Sequence, residues 1–407
     1  MARLAQPWKE AATLIIAAKT KPKLVLPELV KNVSKPLSDV SKKVLEQTDY
    51  KLLVLKRSSK SKFMPNSYVF PGGLLSETDY TEKWASIYSS VLGLKQGTKL
   101  TPSNLGIAGV HSKDPVAMYS VNYVSPIPNE AIFRICAIRE TFEESGVLLC
   151  IDEKEFQSSR ASGVVHKSLP PEKLKLLPEL RKEVNADDSK FVQICQDLSV
   201  VPDIWSLVEY SNWLTPTSLK AQSGRRYDTA FFISFMSEEV DYEQDNREIT
   251  DAQWMTPAEI LINFLQKKLQ VMPPQIYTLC ELLGSTSWTQ LATASLQRIQ
   301  NENIEQIFPV RMDFQDGVVS AVKGDHLYPE SPDYDGTQEP LKYDCTLREG
   351  RKSNMPLHRF ELRGPFDQGV LDTYTDRTKP FSTGHGYSIL QTLASDLEIE
   401  TGASTKT

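Results

Sequence analysis

One segment, Arg139–Val147, constrains this chain more than any other, because it places three carboxylates on one face of a predicted helix. Glu140 precedes Glu143 and Glu144 by three and four positions, the spacing at which helical side chains are neighbours. Like charges at this spacing destabilise a helix by roughly 0.2–0.5 kcal/mol per pair, a cost that a bound divalent cation would offset. Hard cations take oxygen ligands, so the cluster predicts a metal site.

The residues around the cluster distinguish a metal site from an ordinary solvated helix face. Taken alone, a Glu-x-x-Glu-Glu pattern is more often a solvated face. Here Arg139 directly precedes the first glutamate, Gly146 is a plausible helix end, and the turn Phe70-Pro71-Gly72-Gly73 lies upstream. These flanking residues favour the metal site.

The combined pattern, Arg-Glu-x-x-Glu-Glu-x-Gly plus an apolar residue with a Pro-Gly-Gly turn upstream, resembles the Nudix box of the Nudix hydrolases. The resemblance implies a loop, a helix and a second loop that hold Mg²⁺ or Mn²⁺ against a substrate diphosphate. It implies that Glu140, Glu143 and Glu144 are metal ligands, and that one of them or a later carboxylate helps to activate water. Arg139 would orient the glutamates without touching the metal, and Gly73 would open the box.

The box departs from the family pattern in its spacing. The pattern has a Glu six residues after the opening Gly and the Arg-Glu pair eight further on. Here Asp79 occupies the sixth position and about sixty residues intervene before Arg139. An insertion over about residues 80–130 therefore splits the box; it is predicted to begin with a helix. It can roof the active site and discriminate substrates, or it can be a passive elaboration.

Further segments are similar to one branch of the family, the acyl-coenzyme A diphosphatases of the Nudix motif 19 type, over most of residues 8–280. These segments are Lys51–Ser58, Phe63–Pro65, Val69–Gly73, Trp213–Pro216 and Arg225–Thr229. The likeness implies hydrolysis of coenzyme A and its acyl esters to adenosine 3′,5′-bisphosphate and (acyl)phosphopantetheine. Two alternatives stay open. One is a Nudix hydrolase of another diphosphate, such as ADP-ribose, NADH or capped RNA, and the other is a catalytically silent Nudix-fold binding module.

Coenzyme A carries a diphosphate and a 3′-phosphate, so its binding requires cations besides the metal. Arg225 and Arg226, in a basic loop before an apolar strand, are the first candidates because guanidinium forks suit phosphate oxygens. Arg57 follows them, and each of these side chains can instead be a solvated surface charge. The other substrate-binding and basic candidates are Gly72 and Gly73 in the turn and Lys56, Lys60 and Lys62.

A further catalytic carboxylate is expected from the segment 243–257. Nudix enzymes often draw one more carboxylate from a loop in this region. Glu248 is the best match, with Asp245 and Asp251 as competitors.

The predicted fold class is α+β, a Nudix α/β/α sandwich around a mixed sheet. Residues 1–272 form the Nudix domain, 273–365 a C-terminal helical and β extension, and 366–407 a polar, loose tail. The apolar run Ala11–Ala18 fits a buried strand better than a cleaved presequence.

Composition restricts the partners. A net charge of −6 does not suit a general nucleic-acid surface, which is normally basic. No apolar run reaches the length of a membrane span. The five cysteines are scattered, which favours free thiols in a reducing compartment, and Cys136 is expected to be buried. The expected partner is a small-molecule substrate, and a monomer is compatible with the sequence.

The branch likeness points to the peroxisome or the mitochondrion. The last three residues, Thr405-Lys406-Thr407, do not form a Ser-Lys-Leu type address, which leaves the cytosol open.

Overall fold

A mixed sheet forms the centre of the molecule in the computed structural model, which describes residues 8–23, 33–60, 65–107, 123, 125–156, 165–217, 226–242, 249–301, 304–351, 355–362, 372–373 and 383–399. The strands are β1 (Lys9–Lys19), β2 (Tyr50–Arg57), β3 (Ser67–Val69), β4 (Gly72–Leu74), β5 (Cys150–Asp152), β6 (Val165–His166), β7 (Val200–Pro202), β8 (Val208–Leu214), β9 (Tyr227–Met236), β10 (Ile249–Met255), β11 (Gln270–Val271), β12 (Gln306–Ile307), β13 (Val310–Phe314), β14 (Gly317–Ala321), β15 (Leu341–Lys342), β16 (Arg359–Leu362) and β17 (Asp372–Thr373).

Helices cover the sheet and connect its strands. They are α1 (Asp39–Gln47), α2 (Lys83–Val91), α3 (Pro102–Leu105), α4 (Asn129–Ser145), α5 (Pro171–Leu174), α6 (Leu177–Ala186), α7 (Lys190–Asp197), α8 (Pro257–Leu265), α9 (Pro273–Leu283), α10 (Trp288–Asn301), α11 (Leu347–Gly350) and α12 (Thr383–Asp396). A short 3₁₀ turn, Glu77–Tyr80, follows β4. Helices and a mixed sheet confirm the predicted α+β class.

Strand β1 is the central element of the sheet. Its residues 11–18 are all buried, as expected for a run of Ala, Leu and Ile. It lies parallel to β9, from Lys9 opposite Tyr227 to Ala18 opposite Met236, and antiparallel to β2 and β4. The order across the sheet is β11-β3-β2-β1-β9-β8-β12, with β10 on β2, β4 on β1 and β6 on β9. The predicted N-terminal strand is confirmed.

Helix α4 carries the glutamates and packs on β1 and β4. Its apolar residues Ile135, Ile138 and Phe142 are fully buried. It ends where Gly146 adopts the left-handed conformation with φ 77°, and the Gly146 amide donates to the Phe142 carbonyl at 2.9 Å. Glycine adopts this conformation at no steric cost, so the predicted helix end is confirmed.

The described part of the insertion packs through aromatic side chains. Trp84 and Tyr88 on α2 are fully buried; the Trp84 ring lies 5.8 Å from that of Phe191, and the Tyr88 ring lies 5.8 Å from that of Trp205. Trp84 also donates from Nε1 to the carbonyl of Thr78 at 2.7 Å. These contacts join α2 to α7 and the loop after β7.

The C-terminal extension contains a second sheet of order β15-β13-β14-β16-β17, as predicted. Its strand β16 reaches the main core through Phe360, whose ring lies 6.1 Å from that of Tyr277 on α9 and 6.4 Å from that of Trp213 on β8. The extension and the Nudix domain therefore share one apolar interface.

Helix α12 lies within the segment that the sequence predicts to be a loose tail, and here the structure differs. Leu393 is fully buried, and a Cβ on Gly386 would lie 1.5 Å from the Cys280 carbonyl oxygen, so α12 packs directly on α9. Asp396 accepts hydrogen bonds from the Ser38 amide at 2.9 Å and the Ser41 hydroxyl at 2.6 Å, which ties α12 to α1. The polar composition of residues 366–407 did not indicate the short apolar face of α12.

Candidate active site

Arg139 is the centre of a carboxylate cluster at the α4–β4 contact. Its Nε and Nη2 donate to the two Asp79 carboxylate oxygens at 2.8 and 2.9 Å. Its Nη1 donates to Glu140 at 3.0 Å and to Glu143 at 2.7 Å. Nη2 also donates to the Leu74 carbonyl at 2.9 Å. One guanidinium thus faces three carboxylates, and the predicted orienting contacts between Arg139 and the glutamates are present.

Asp79 was noted in the sequence only as a departure in spacing, and the structure gives it a role. It is fully buried, and besides gripping Arg139 it accepts the Ser76 amide at 2.8 Å in a capping box. The signal was available, since a carboxylate stands six positions after Gly73. The two halves of the split box are therefore joined by this ion pair.

The glycine turn contacts Glu144 and also Glu140. The Gly72 amide donates to a Glu144 carboxylate oxygen at 2.9 Å. A Cβ on Gly73 would lie 2.4 Å from a Glu140 carboxylate oxygen, so only glycine leaves room for this side chain. Strand β4 therefore contacts both Glu140 and Glu144 through its glycines.

The electrostatics of the cluster show an excess of negative charge. Burial raises the pKa of Glu140, the Arg139 guanidinium lowers it, and the Glu143 carboxylate raises it. The net pKa of Glu140 is about 7. Burial also raises the pKa of Glu143, against Arg139, while Asp188 adds to the rise. Burial lowers the pKa of Arg139, but Asp79 and Glu140 outweigh it and hold that pKa well above its usual range.

The donor set fits a hard divalent cation. Three carboxylates around one guanidinium carry surplus negative charge, and carboxylate oxygens are the ligands that Mg²⁺ and Mn²⁺ take. Within the described residues, no three His, Cys, Asp or Glu side chains already converge as a ligand group. The carboxylate oxygens of Glu140 and Glu143 accept from Arg139, and those of Glu144 accept from Gly72.

Cys136 lies beside the cluster but is a core residue. It is fully buried, and its Sγ lies 3.5 Å from the Leu74 carbonyl. Burial raises the pKa of its thiol well above the usual range, which suppresses the thiolate. The expectation of a buried helix cysteine is confirmed.

Arg226, which is predicted to bind substrate, donates to two backbone carbonyls in the structure. Its Nε donates to the Thr215 carbonyl at 2.9 Å and its Nη1 to the Tyr334 carbonyl at 2.6 Å. The guanidinium is buried, 5.3 Å from the Trp8 ring. It therefore ties the start of β9 to the C-terminal extension, a long-range contact that the local basic pattern did not indicate.

The remaining predicted residues lie at the other end of β2 or outside the described part of the chain. Arg57 ends β2 opposite Ile249, and Asp251 lies opposite Lys56. Glu248, Asp245, Arg225 and Lys62 are outside the described residues. The roles of Glu248 and Arg57 remain predictions.

Comparisons with known proteins show the family of this chain. The model of the NUDT19 Nudix domain matches residues 8–282, and that of the NUDT19 C-terminal domain matches residues 313–370. The fold and the box are thus those of a Nudix hydrolase. Proteins named acyl-coenzyme A diphosphatase NUDT19 are 37% identical in Xenopus laevis, 36% in Gallus gallus and 31% in Homo sapiens. The matches cover 82%, 89% and 86% of this chain and 84%, 91% and 88% of those proteins. The chain belongs to the NUDT19 family of Nudix hydrolases.

Among the residues that the structure describes, no helix is long and apolar enough to cross a membrane.

Proposed function

We propose that this chain hydrolyses the diphosphate of coenzyme A and of acyl-coenzyme A. Water adds across the P–O–P bridge: its oxygen bonds to one phosphorus, and the bridging oxygen leaves with the other. The products are adenosine 3′,5′-bisphosphate and phosphopantetheine or its acyl ester. The relatives from Xenopus laevis, Gallus gallus and Homo sapiens, whose names state this substrate class, support the proposal.

The observation that carries the proposal is the charge surplus around Arg139. Asp79, Glu140 and Glu143 all contact this one guanidinium, and Glu144 lies on the Gly72 amide. A silent binding module would have no need to keep a buried like-charge cluster, because such clusters cost stability. A hydrolase of diphosphates does need it.

We assign the metal-ligand role to Glu140, Glu143 and Glu144, with Mg²⁺ or Mn²⁺ as the cation. When bound, such a cation neutralises charge on the diphosphate oxygens and makes water a better nucleophile. Arg139 donates to Glu140 and Glu143, the Gly72 amide donates to Glu144, and Gly73 leaves room for the Glu140 carboxylate. A carboxylate takes the proton of the attacking water. Glu248 stays our candidate for that base.

The test is product analysis by mass spectrometry with coenzyme A, acetyl-coenzyme A, ADP-ribose, NADH and capped RNA, each with Mg²⁺, with Mn²⁺ and with EDTA. We expect adenosine 3′,5′-bisphosphate from the coenzyme A compounds only, and only with metal. Glu143→Gln should abolish it. Glu130→Gln is the matched control, because Glu130 lies on the same helix but in its first turn, far from Arg139.

Other outcomes decide between the alternatives. Turnover of ADP-ribose, NADH or capped RNA in place of coenzyme A would keep the Nudix chemistry and overturn the substrate. Loss of activity in both Glu143→Gln and Glu130→Gln would make the effect structural. No turnover of any diphosphate would favour the binding module.

The branch likeness also supports a proposal for the compartment, the peroxisome or the mitochondrion. Imaging of the chain with a fluorescent protein at either terminus, against markers of both organelles, tests it. A uniform cytosolic signal from both fusions would contradict it.

A further inference from the structure

We propose that Arg181 on α6 is a positioning residue for the metal-binding glutamates, an inference that rests on the proposed function. Its Nε and Nη2 both donate to the backbone carbonyl of Glu143, at 2.9 and 2.8 Å. Arg181 lies outside the box pattern, about forty residues beyond it, and its side chain does not need to touch substrate for this role.

The Glu143 carbonyl is one of the groups that a helix end leaves without an intrahelical donor. The Gly146 amide donates to Phe142, and the Val147 amide, the next available donor, donates to the Ser145 hydroxyl at 3.2 Å. The Arg181 fork takes the place of the missing amide. It therefore determines the position of the last turn of α4, the turn that carries Glu143 and Glu144.

Arg181 is rigidly supported. It is only 4% exposed, and it lies on one face of α6 with Leu177 and Val184, which are both buried. A guanidinium is rarely buried to this degree without specific contacts, and it also lies favourably at the negative end of the α4 dipole. The contact thus links the α6 segment, which has no ligand of its own in the box, to the position of two metal ligands.

The consequence is an effect on cation affinity. Glu143 has its carboxylate on Arg139 and its carbonyl on Arg181, so the two arginines hold it at both ends. Loss of the Arg181 fork would let the last turn fray, and the two ligands would lose their common orientation. Changes to groups that hold metal ligands typically weaken metal affinity about 10–100-fold.

The experiment measures Mn²⁺ binding by electron paramagnetic resonance, without any coenzyme A, on the full chain and on Arg181→Lys and Arg181→Gln. We expect the Mn²⁺ dissociation constant to rise about 10–100-fold in Arg181→Gln, with a smaller rise in Arg181→Lys, because the lysine ammonium keeps the positive charge and can still donate to the Glu143 carbonyl. Steady-state kinetics on the same variants should show the half-saturating Mn²⁺ concentration rising with the dissociation constant, while KM for coenzyme A at saturating Mn²⁺ stays within twofold.

Arg134→Lys is the matched control. Arg134 is also fully buried on α4, and its Nε donates to the Leu207 carbonyl at 3.2 Å and its Nη2 to Glu209 at 3.0 Å, away from the cluster. It should lower the melting temperature and leave the Mn²⁺ constant within twofold. If Arg181→Gln kept the Mn²⁺ dissociation constant of the unaltered chain, the inference would be overturned, and equal weakening of Mn²⁺ binding in Arg134→Lys would also overturn it. An unaltered chain that binds Mn²⁺ but does not cleave coenzyme A would overturn the proposed function alone.

Discussion

In each of two regions of the molecule, a buried arginine donates two hydrogen bonds to a buried aspartate. In the box, Arg139 donates from Nε and Nη2 to Asp79 at 2.8 and 2.9 Å. In the C-terminal sheet, Arg359 donates from the same two atoms to Asp325 at 2.6 and 2.5 Å. All four side chains are buried.

The two pairs differ in their neighbours. Around Arg359, the additional carboxylate Glu361 has its own guanidinium partner, Arg351, with Nε at 2.8 Å. Around Arg139, Glu140 and Glu143 share the one guanidinium with Asp79. A buried network whose charges balance joins elements of structure, whereas a buried network with surplus negative charge favours binding of an external cation. Charge balance, and not burial or hydrogen-bond geometry, therefore separates the candidate active site from structural ion pairs.

Glu140 is one of the surplus carboxylates around Arg139, and we expect Glu140→Gln to have the largest effect on activity. We expect turnover of coenzyme A to fall by more than about 100-fold, since even changes to groups behind metal ligands cost 10–100-fold. Thermal unfolding should be unchanged or shifted upward, because a buried like-charge repulsion is removed. Retained turnover at saturating Mg²⁺ would contradict the assignment of Glu140.

The two ion pairs can be compared directly through Asp325→Asn and Asp79→Asn. Loss of one partner of a buried pair costs about 3–5 kcal/mol, and we expect Asp325→Asn to lose that stability in urea unfolding without changing Mn²⁺ affinity. Asp79→Asn should lose less stability, because Arg139 keeps Glu140 and Glu143, but should weaken Mn²⁺ binding at least about 10-fold. Identical stability losses and identical Mn²⁺ affinities in the two variants would remove the distinction between the pairs.

Asp228 is a third buried aspartate, and side-chain amides rather than a guanidinium donate to it. We expect the smallest effect at this residue. Asn212 and Gln306 donate to it at 2.8 and 3.0 Å, yet burial raises its pKa from 3.8 to about 6. A raised folded-state pKa means that its contribution to stability is complete below pH 3.8 and is lost as pH rises through 6. Relative to Asp228→Asn, the unaltered chain should therefore lose at most about 3 kcal/mol between pH 4 and 6.

Urea unfolding of both proteins at pH 4, 5, 6 and 7 measures this difference. The difference should level off above pH 6. A difference that does not change with pH would show that folding does not raise the pKa of Asp228.

Local sequence patterns sufficed for the parts of the site that lie on one element. Helical spacing put Glu140, Glu143 and Glu144 on one face, and Gly146 ended the helix as predicted. The continuous apolar run Ala11–Ala18 likewise predicted a buried strand, which is β1. In these cases the interacting residues are within a few positions of each other, so the backbone geometry alone relates them.

Prediction failed where partners are distant in sequence. The composition of the segment after residue 366 indicated a loose tail, yet α12 packs on α9 because a few apolar residues and Gly386 fit that surface. The basic pattern at Arg226 did not indicate that its Nε and Nη1 donate to two distant backbone carbonyls, and binding of substrate by Arg226 stays a prediction. Hydrogen-bond partners of a long side chain depend on the assembled fold.

The sequence by itself contained the local chemistry of the site: a cluster of glutamates at helical spacing, behind an arginine, that suits a divalent cation. The resemblance to the Nudix box implied the diphosphate. Only the tertiary structure decided how the split box closes, through Asp79 and Arg139 across sixty positions of chain, and that Arg181 completes the end of the helix. The physical reason is that residue type and local spacing determine what a group can bind, while only folding determines which distant groups come within 3 Å of it.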